Sequence, residues 1–197
     1  MPEAPLLAHS LGEAHLYLLA AACGACGRGP LCADGGSEAP IPDAAGTLVV
    51  RAICESCGKA VQTTFRIAQH PETGASSKVI NATDEPSLIL DLAQWLTLFR
   101  MISETAGREP DKTHARELAL EAAQCLEEAM KFYDDAENDL PPAEAFFHSA
   151  SKERFRAYPE QFSRRRLIHL RSRLPNATGN RPHPNAGRTR RWWRRHS

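Results

Sequence analysis

From residue 84 to 174, apolar side chains recur at helical spacing. Leu88, Leu92, Trp95, Phe99 and Ile102 fall on one face, and Ile89, Leu96 and Leu98 widen it. This pattern predicts an amphipathic helix of about 18 residues, opened by Asp84-Glu85-Pro86 and ended near Gly107 and Pro110. Leu118, Ala122, Cys125, Ala129 and Phe132 predict a second helix over 112–133, with Glu117, Glu121, Glu128 and Lys131 off the stripe. The short connection makes the two helices neighbours in a hairpin. Phe146 and Phe147 follow an acidic, Pro-interrupted loop and read as plugs of the helical core. A short helix to about 157, capped by Ser149 or Ser151, and another from Pro159 to about 173 complete the pattern.

The first eighty residues differ. Residues 47–53 are rich in β-branched side chains, and 61–67 alternate Val61, Thr63, Phe65 and Ile67 against Gln62, Thr64 and Arg66. Both read as strands, and residues 14–22 are compatible with a further extended segment. Most of the Pro and Gly lie here, with five of the six cysteines. The expected fold class is therefore α+β, a small β-rich unit followed by a helical bundle. The expected divisions are a segment over 1–13, the β-rich unit over 14–68, a helical domain over 84–174 and a disordered basic tail over 175–197.

The cysteines carry the chemistry. Cys23-Gly24-Ala25-Cys26-Gly27 and Cys54-Glu55-Ser56-Cys57-Gly58 are each a Cys-x-x-Cys followed directly by Gly. Two intervening residues place both sulfurs on one side of a tight turn, and the glycine supplies the positive φ that the turn needs. Two such turns provide the four ligands of a tetrahedral zinc ion, each thiolate about 2.3 Å from the metal. Cys23, Cys26, Cys54 and Cys57 are thus the expected ligands of one structural Zn2+. Residues 14–68 resemble the zinc-ribbon family, with a gap of 27 residues between the paired motifs. An inserted Gly- and Pro-rich loop accounts for that length. The resemblance implies a role in transcription, translation or replication machinery. Cys32, His9 and His15 are near enough in sequence to compete as ligands, but their contexts read as loop or surface. Cys125, on the helical stripe, reads as a small core residue.

Charge is segregated although the net value is zero: residues 1–80 sum to −2, 81–147 to −10, 148–174 to +6 and 175–197 to +6. The basic helix near residues 164–173 can meet phosphates or dock on the acidic second helix, and charge patterning alone does not choose. The tail holds Arg188, Arg190, Arg191, Trp192, Trp193, Arg194 and Arg195, able to meet phosphates and to stack on bases or settle in a membrane interface, or else a solvated appendage. The apolar run over 16–22 is far below the roughly 20 residues that span a bilayer, and its acidic, His-containing flank does not suit a signal peptide. A reducing, cytoplasmic setting is expected, where paired Cys-x-x-Cys motifs read as metal sites. No phosphate loop, nucleophile elbow or His-Glu-x-x-His helix occurs in the sequence. The expected function is a non-catalytic zinc-ribbon module that meets another protein, with nucleic-acid binding through the basic helix and tail as the alternative.

Overall fold

A computed structural model describes residues 4–34, 41–68, 80–133 and 138–175. The chain separates into two compact units, Met1–Leu90 and Asp91–Ser197, and is α+β as expected.

The first unit is a four-stranded sheet with one helix. Strands β1 (Leu6–Ala8), β2 (Leu31–Ala33), β3 (Thr47–Cys54) and β4 (Ala60–Ile67) lie in the order β1-β4-β3-β2. β3 is antiparallel to both neighbours, whereas β1 runs parallel to β4, pairing Leu6 with Phe65 and Ala8 with Ile67. A strand therefore lies within residues 1–13. In β3 the alternation is clean: Leu48, Val50, Ala52 and Cys54 are buried while Val49, Arg51 and Ile53 face solvent. On β4 only Phe65 is fully buried; it sits opposite Leu48, and the edge of Tyr17 meets its ring at 5.6 Å between centroids. Burying that one phenyl ring is worth roughly 1.5–3 kcal/mol.

Tyr17 belongs to helix α1 (Leu11–Ala20), which occupies most of the segment expected to be extended. The reason for the difference is visible in the burial. Ala14, Leu16 and Leu18 are buried and His15 is exposed, so a short helix nearly surrounded by its unit reproduces the period of two that marks a strand. The local signal for the helix is Ser10-Leu11-Gly12-Glu13, a capping-box sequence, and Ser10 Oγ accepts the Glu13 backbone N–H at 3.1 Å. The Glu13 side chain does not close the box. It is buried, and its Oε2 accepts the backbone N–H of His9 and lies 3.1 Å from His9 Nδ1.

The second unit is helical: α2 (Leu92–Arg108), α3 (Lys112–Met130), α4 (Ser149–Ala157) and α5 (Arg164–Arg171), with 3-10 turns at Ala143–Ala145 and Pro159–Phe162. The predicted stripe holds from Leu92 onward, since Leu92, Trp95, Leu96, Leu98, Phe99 and Ile102 are buried. Leu88, however, is 48 % exposed and precedes the helix. Its start is displaced from Asp84 to Asp91 because side chains hold the intervening backbone in turns. Asn81 bonds Glu85 O and Thr83 N, and Ser87 Oγ accepts the N–H groups of Ile89 and Leu90. Asp91 then forms a reciprocal capping box with Gln94.

Helix α3 packs along α2 with Ala122, Cys125, Ala129 and the following Phe132 buried, as the spacing predicts. Glu128, expected off the stripe, is buried and accepts Lys131 Nζ at 2.6 Å, an ion pair that lets the carboxylate leave water. Phe146 does plug the core, stacked on Phe155 at 4.5 Å and edge-on to Phe162 at 5.1 Å. The predicted single helix from Pro159 is interrupted by Ser163, whose Oγ caps α5 by accepting Arg166 N. The basic α5 docks on acidic α3: Arg171 Nε and Nη2 donate to Glu127 Oε1 at 2.9 and 2.6 Å.

Candidate metal centre

The two Cys-x-x-Cys segments fold into matching turns. The first joins α1 to β2 and the second joins β3 to β4. In the first, Gly27 N donates to Cys23 O at 2.8 Å and Cys23 N to Arg28 O at 2.6 Å. In the second, Gly58 N donates to Cys54 O at 2.8 Å and Cys54 N to Lys59 O at 3.0 Å. Gly27 and Gly58 take φ of 69° and 70°, the left-handed conformation in which an L side chain is strained. Two bonds tie the turns together: Glu55 N to Pro30 O and Ser56 Oγ to Gly29 O, both 3.1 Å.

This arrangement brings Cys23, Cys26, Cys54 and Cys57 into one cluster with all Sγ atoms within 4.8 Å of one another. Cys23 Sγ lies 3.9 Å from Cys57 Sγ, and Cys26 Sγ lies 3.7 Å from Cys54 Sγ. A tetrahedron of thiolates about 2.3 Å from a central ion has edges of about 3.8 Å. Both measured edges link one turn to the other, as a shared ion requires. Cys23 and Cys54 are buried, Cys26 and Cys57 exposed, so the cluster sits at the border of the unit.

Ionisation within the cluster is graded. The backbone N–H groups of Ala25 and Cys26, with help from Cys57 and Cys54, hold the Cys23 thiol down at about 7. For Cys57 the Lys59 backbone N–H pulls down, but Cys26, burial, Cys54 and Cys23 together push the thiol up to about 11. The Cys23 thiol therefore ionises readily, whereas that of Cys57 resists because of its sulfur neighbours and burial. A dication removes that resistance, so the donor set fits a metal.

The other candidates are engaged elsewhere. Cys32 is on β2, its Sγ donating to Glu55 Oε1 at 3.0 Å, and that bond raises its pKa ahead of burial. His9 pairs with Glu13, and His15 is exposed on α1. Cys125 is fully buried in the helical core, where burial, then Glu121 and Glu128, push its thiol upward. The tail residues Arg188, Arg190, Arg191, Trp192, Trp193, Arg194 and Arg195 lie outside the described residues. Among the described residues no helix is long and apolar enough to cross a membrane.

No family model matches the chain, and comparison with curated proteins and with solved structures gives no significant match. The four-cysteine cluster therefore carries the functional reading by its geometry.

Proposed function

We propose that Cys23, Cys26, Cys54 and Cys57 bind one structural zinc ion and that the protein is a non-catalytic, zinc-ribbon-like module that acts by binding another protein. The observation carrying this reading is the pair of cross-turn sulfur distances, 3.7 and 3.9 Å, in two turns with the same hydrogen bonds. All-thiolate tetrahedral donor sets favour zinc or iron–sulfur centres, and paired turns that close around one ion favour zinc. Four protein ligands leave no coordination position for a water nucleophile, which supports a structural rather than a hydrolytic role. The helix before the first turn departs from the all-strand pattern of the resemblance, while the second turn and its β3–β4 hairpin conform to it.

Elemental analysis of the purified chain tests the metal: one zinc per chain is expected, lost in Cys54→Ser and Cys57→Ser and kept in Cys32→Ser. Full zinc content in either cysteine-turn variant overturns the ligand set. Nucleic-acid binding is the competing role. Salt-dependent binding of labelled DNA or RNA that disappears when residues 175–197 are removed would replace the protein-partner reading with that one.

A further inference from the structure

The helical unit holds a groove of about 230 Å³ walled by Leu96, Phe99, Leu167 and Leu170 and rimmed by Arg100 and Arg166. Gln161 also lines it, and its Oε1 accepts from two guanidiniums, Arg100 Nη2 at 3.1 Å and Arg154 Nη2 at 3.4 Å. Two cations thus converge on one neutral oxygen. Arg154 is fixed there, donating to Thr97 Oγ1 at 3.0 Å and lying 5.6 Å from the Phe162 ring centre. Among the described residues no carboxylate comes within ion-pair distance of Arg100, Arg154 or Arg166. Asp91 attracts Arg154 from a distance, but its oxygens are taken by the backbone N–H groups of Gln94, Phe147 and His148. Burial first, and Arg100 second, lower the pKa of Arg154, as expected of a cation short of a counter-charge.

We propose that this groove binds a small organic carboxylate, its anionic head on Arg100, which shares the Gln161 oxygen with Arg154, with Arg166 on the same rim, and its apolar body against the partly exposed Leu170 over a floor of buried Leu96, Phe99 and Leu167. The guanidinium fork is matched to a carboxylate, and the like-charged pair gains a shared counter-ion. The volume lies below the roughly 300–1,000 Å³ of ordinary small-molecule pockets, so the apolar body is short, one phenyl ring or a chain of comparable bulk. The site belongs to the helical unit alone and does not depend on the metal.

The test is a titration of the full-length, isotope-labelled chain with 3-phenylpropionate, followed by amide shifts. The expected result is saturable shifts at residues 96–100, 161 and 166–170. Binding should be at least about tenfold weaker for the neutral 3-phenylpropanamide and for Arg100→Gln. Acetate should give only weak, non-saturating shifts. Equal responses to acid and amide, equal responses to acetate, or no saturable shift would each overturn the assignment. So would binding of an acidic peptide with no response to 3-phenylpropionate, which would make the groove a peptide site.

Discussion

Asp91 links the start of α2 to the segment before α4, so its replacement separates helix capping from long-range anchoring. Its Oδ1 accepts the Gln94 backbone N–H at 3.0 Å, and its Oδ2 accepts those of Phe147 at 3.1 Å and His148 at 3.3 Å. The side chain is fully buried. Losing the cap costs about 1 kcal/mol. Phe147 is half-buried, and orphaning its N–H adds about 1–2 kcal/mol, whereas exposed His148 can turn to water. Asp91→Ala should therefore destabilise the helical unit by about 2–3 kcal/mol, a large share of a typical stability of roughly 5–15 kcal/mol.

Asp91→Ser separates the two contributions, since its shorter side chain caps the helix but does not reach Phe147. It should recover about 1 kcal/mol of the loss and leave the remainder. Native-state hydrogen exchange at the α2 amides reads the free energy of this unit directly, whatever the state of the metal-binding unit. A loss under about 0.5 kcal/mol in Asp91→Ala would place Asp91 among ordinary surface positions and refute the argument, as would Asp91→Ser behaving like wild type.

Gly58→Ala places a side chain at φ 70° in the second metal turn; the strain of about 1–2 kcal/mol should weaken zinc retention roughly tenfold in a chelator competition. Unchanged retention would mean that the turn geometry is not set by the glycine. Phe162→Ala removes a fully buried ring that meets both Phe146 and Phe155, and should cost about 3–5 kcal/mol by the same exchange measurement. Asp139 carries a pH dependence: bonds from Arg165 N and Ser163 Oγ hold its carboxyl below the ordinary value of 3.8. A depressed pKa stabilises the fold above the ordinary value and loses that contribution as pH falls through the lowered one, so the first turn of α5 should lose exchange protection below about pH 4. Asp139→Asn should flatten that dependence, and a wild-type acid transition persisting in the variant would assign it to another group.

What the sequence made legible was what depends on near neighbours. Each Cys-x-x-Cys-Gly turn is built from contacts within six residues, and the α2 and α3 stripes from spacings of three and four. The pairing of the turns followed from zinc chemistry, not from local propensity. Misreadings arose where tertiary context overrides local pattern. The ambiguity of α1 came from burial on several sides, although Ser10 and Glu13 marked its start. Asp84 has the chemistry of a helix cap, yet Asp91 holds the position because Phe147 and His148 supply two further donors from residues more than fifty positions away. β1 is a three-residue strand whose existence depends on a parallel partner near residue 66, and no short window reveals that. The converging arginines were equally hidden, since Arg100 meets Gln161 across 61 positions.

The charge segregation gains meaning once internal pairing is subtracted. The acidic stretch over 81–147 and the basic stretch over 148–174 are partly spent on each other: Glu127 takes Arg171, and Asp139 receives the start of α5 through Ser163 Oγ and Arg165 N. Among the described residues, Arg100, Arg154 and Arg166 are left without an ion-paired carboxylate. A fold that neutralises some arginines with well-placed carboxylates while holding two others on one amide oxygen is not limited by a shortage of acids, since α3 alone carries Glu117, Glu121, Glu127 and Glu128. Arg100 and Arg166 line a groove floored by apolar side chains, whereas Arg171 holds α5 to α3. On the proposal above, Arg171 builds the unit, whereas Arg100 and Arg166 are the arginines that would receive an anion from outside it.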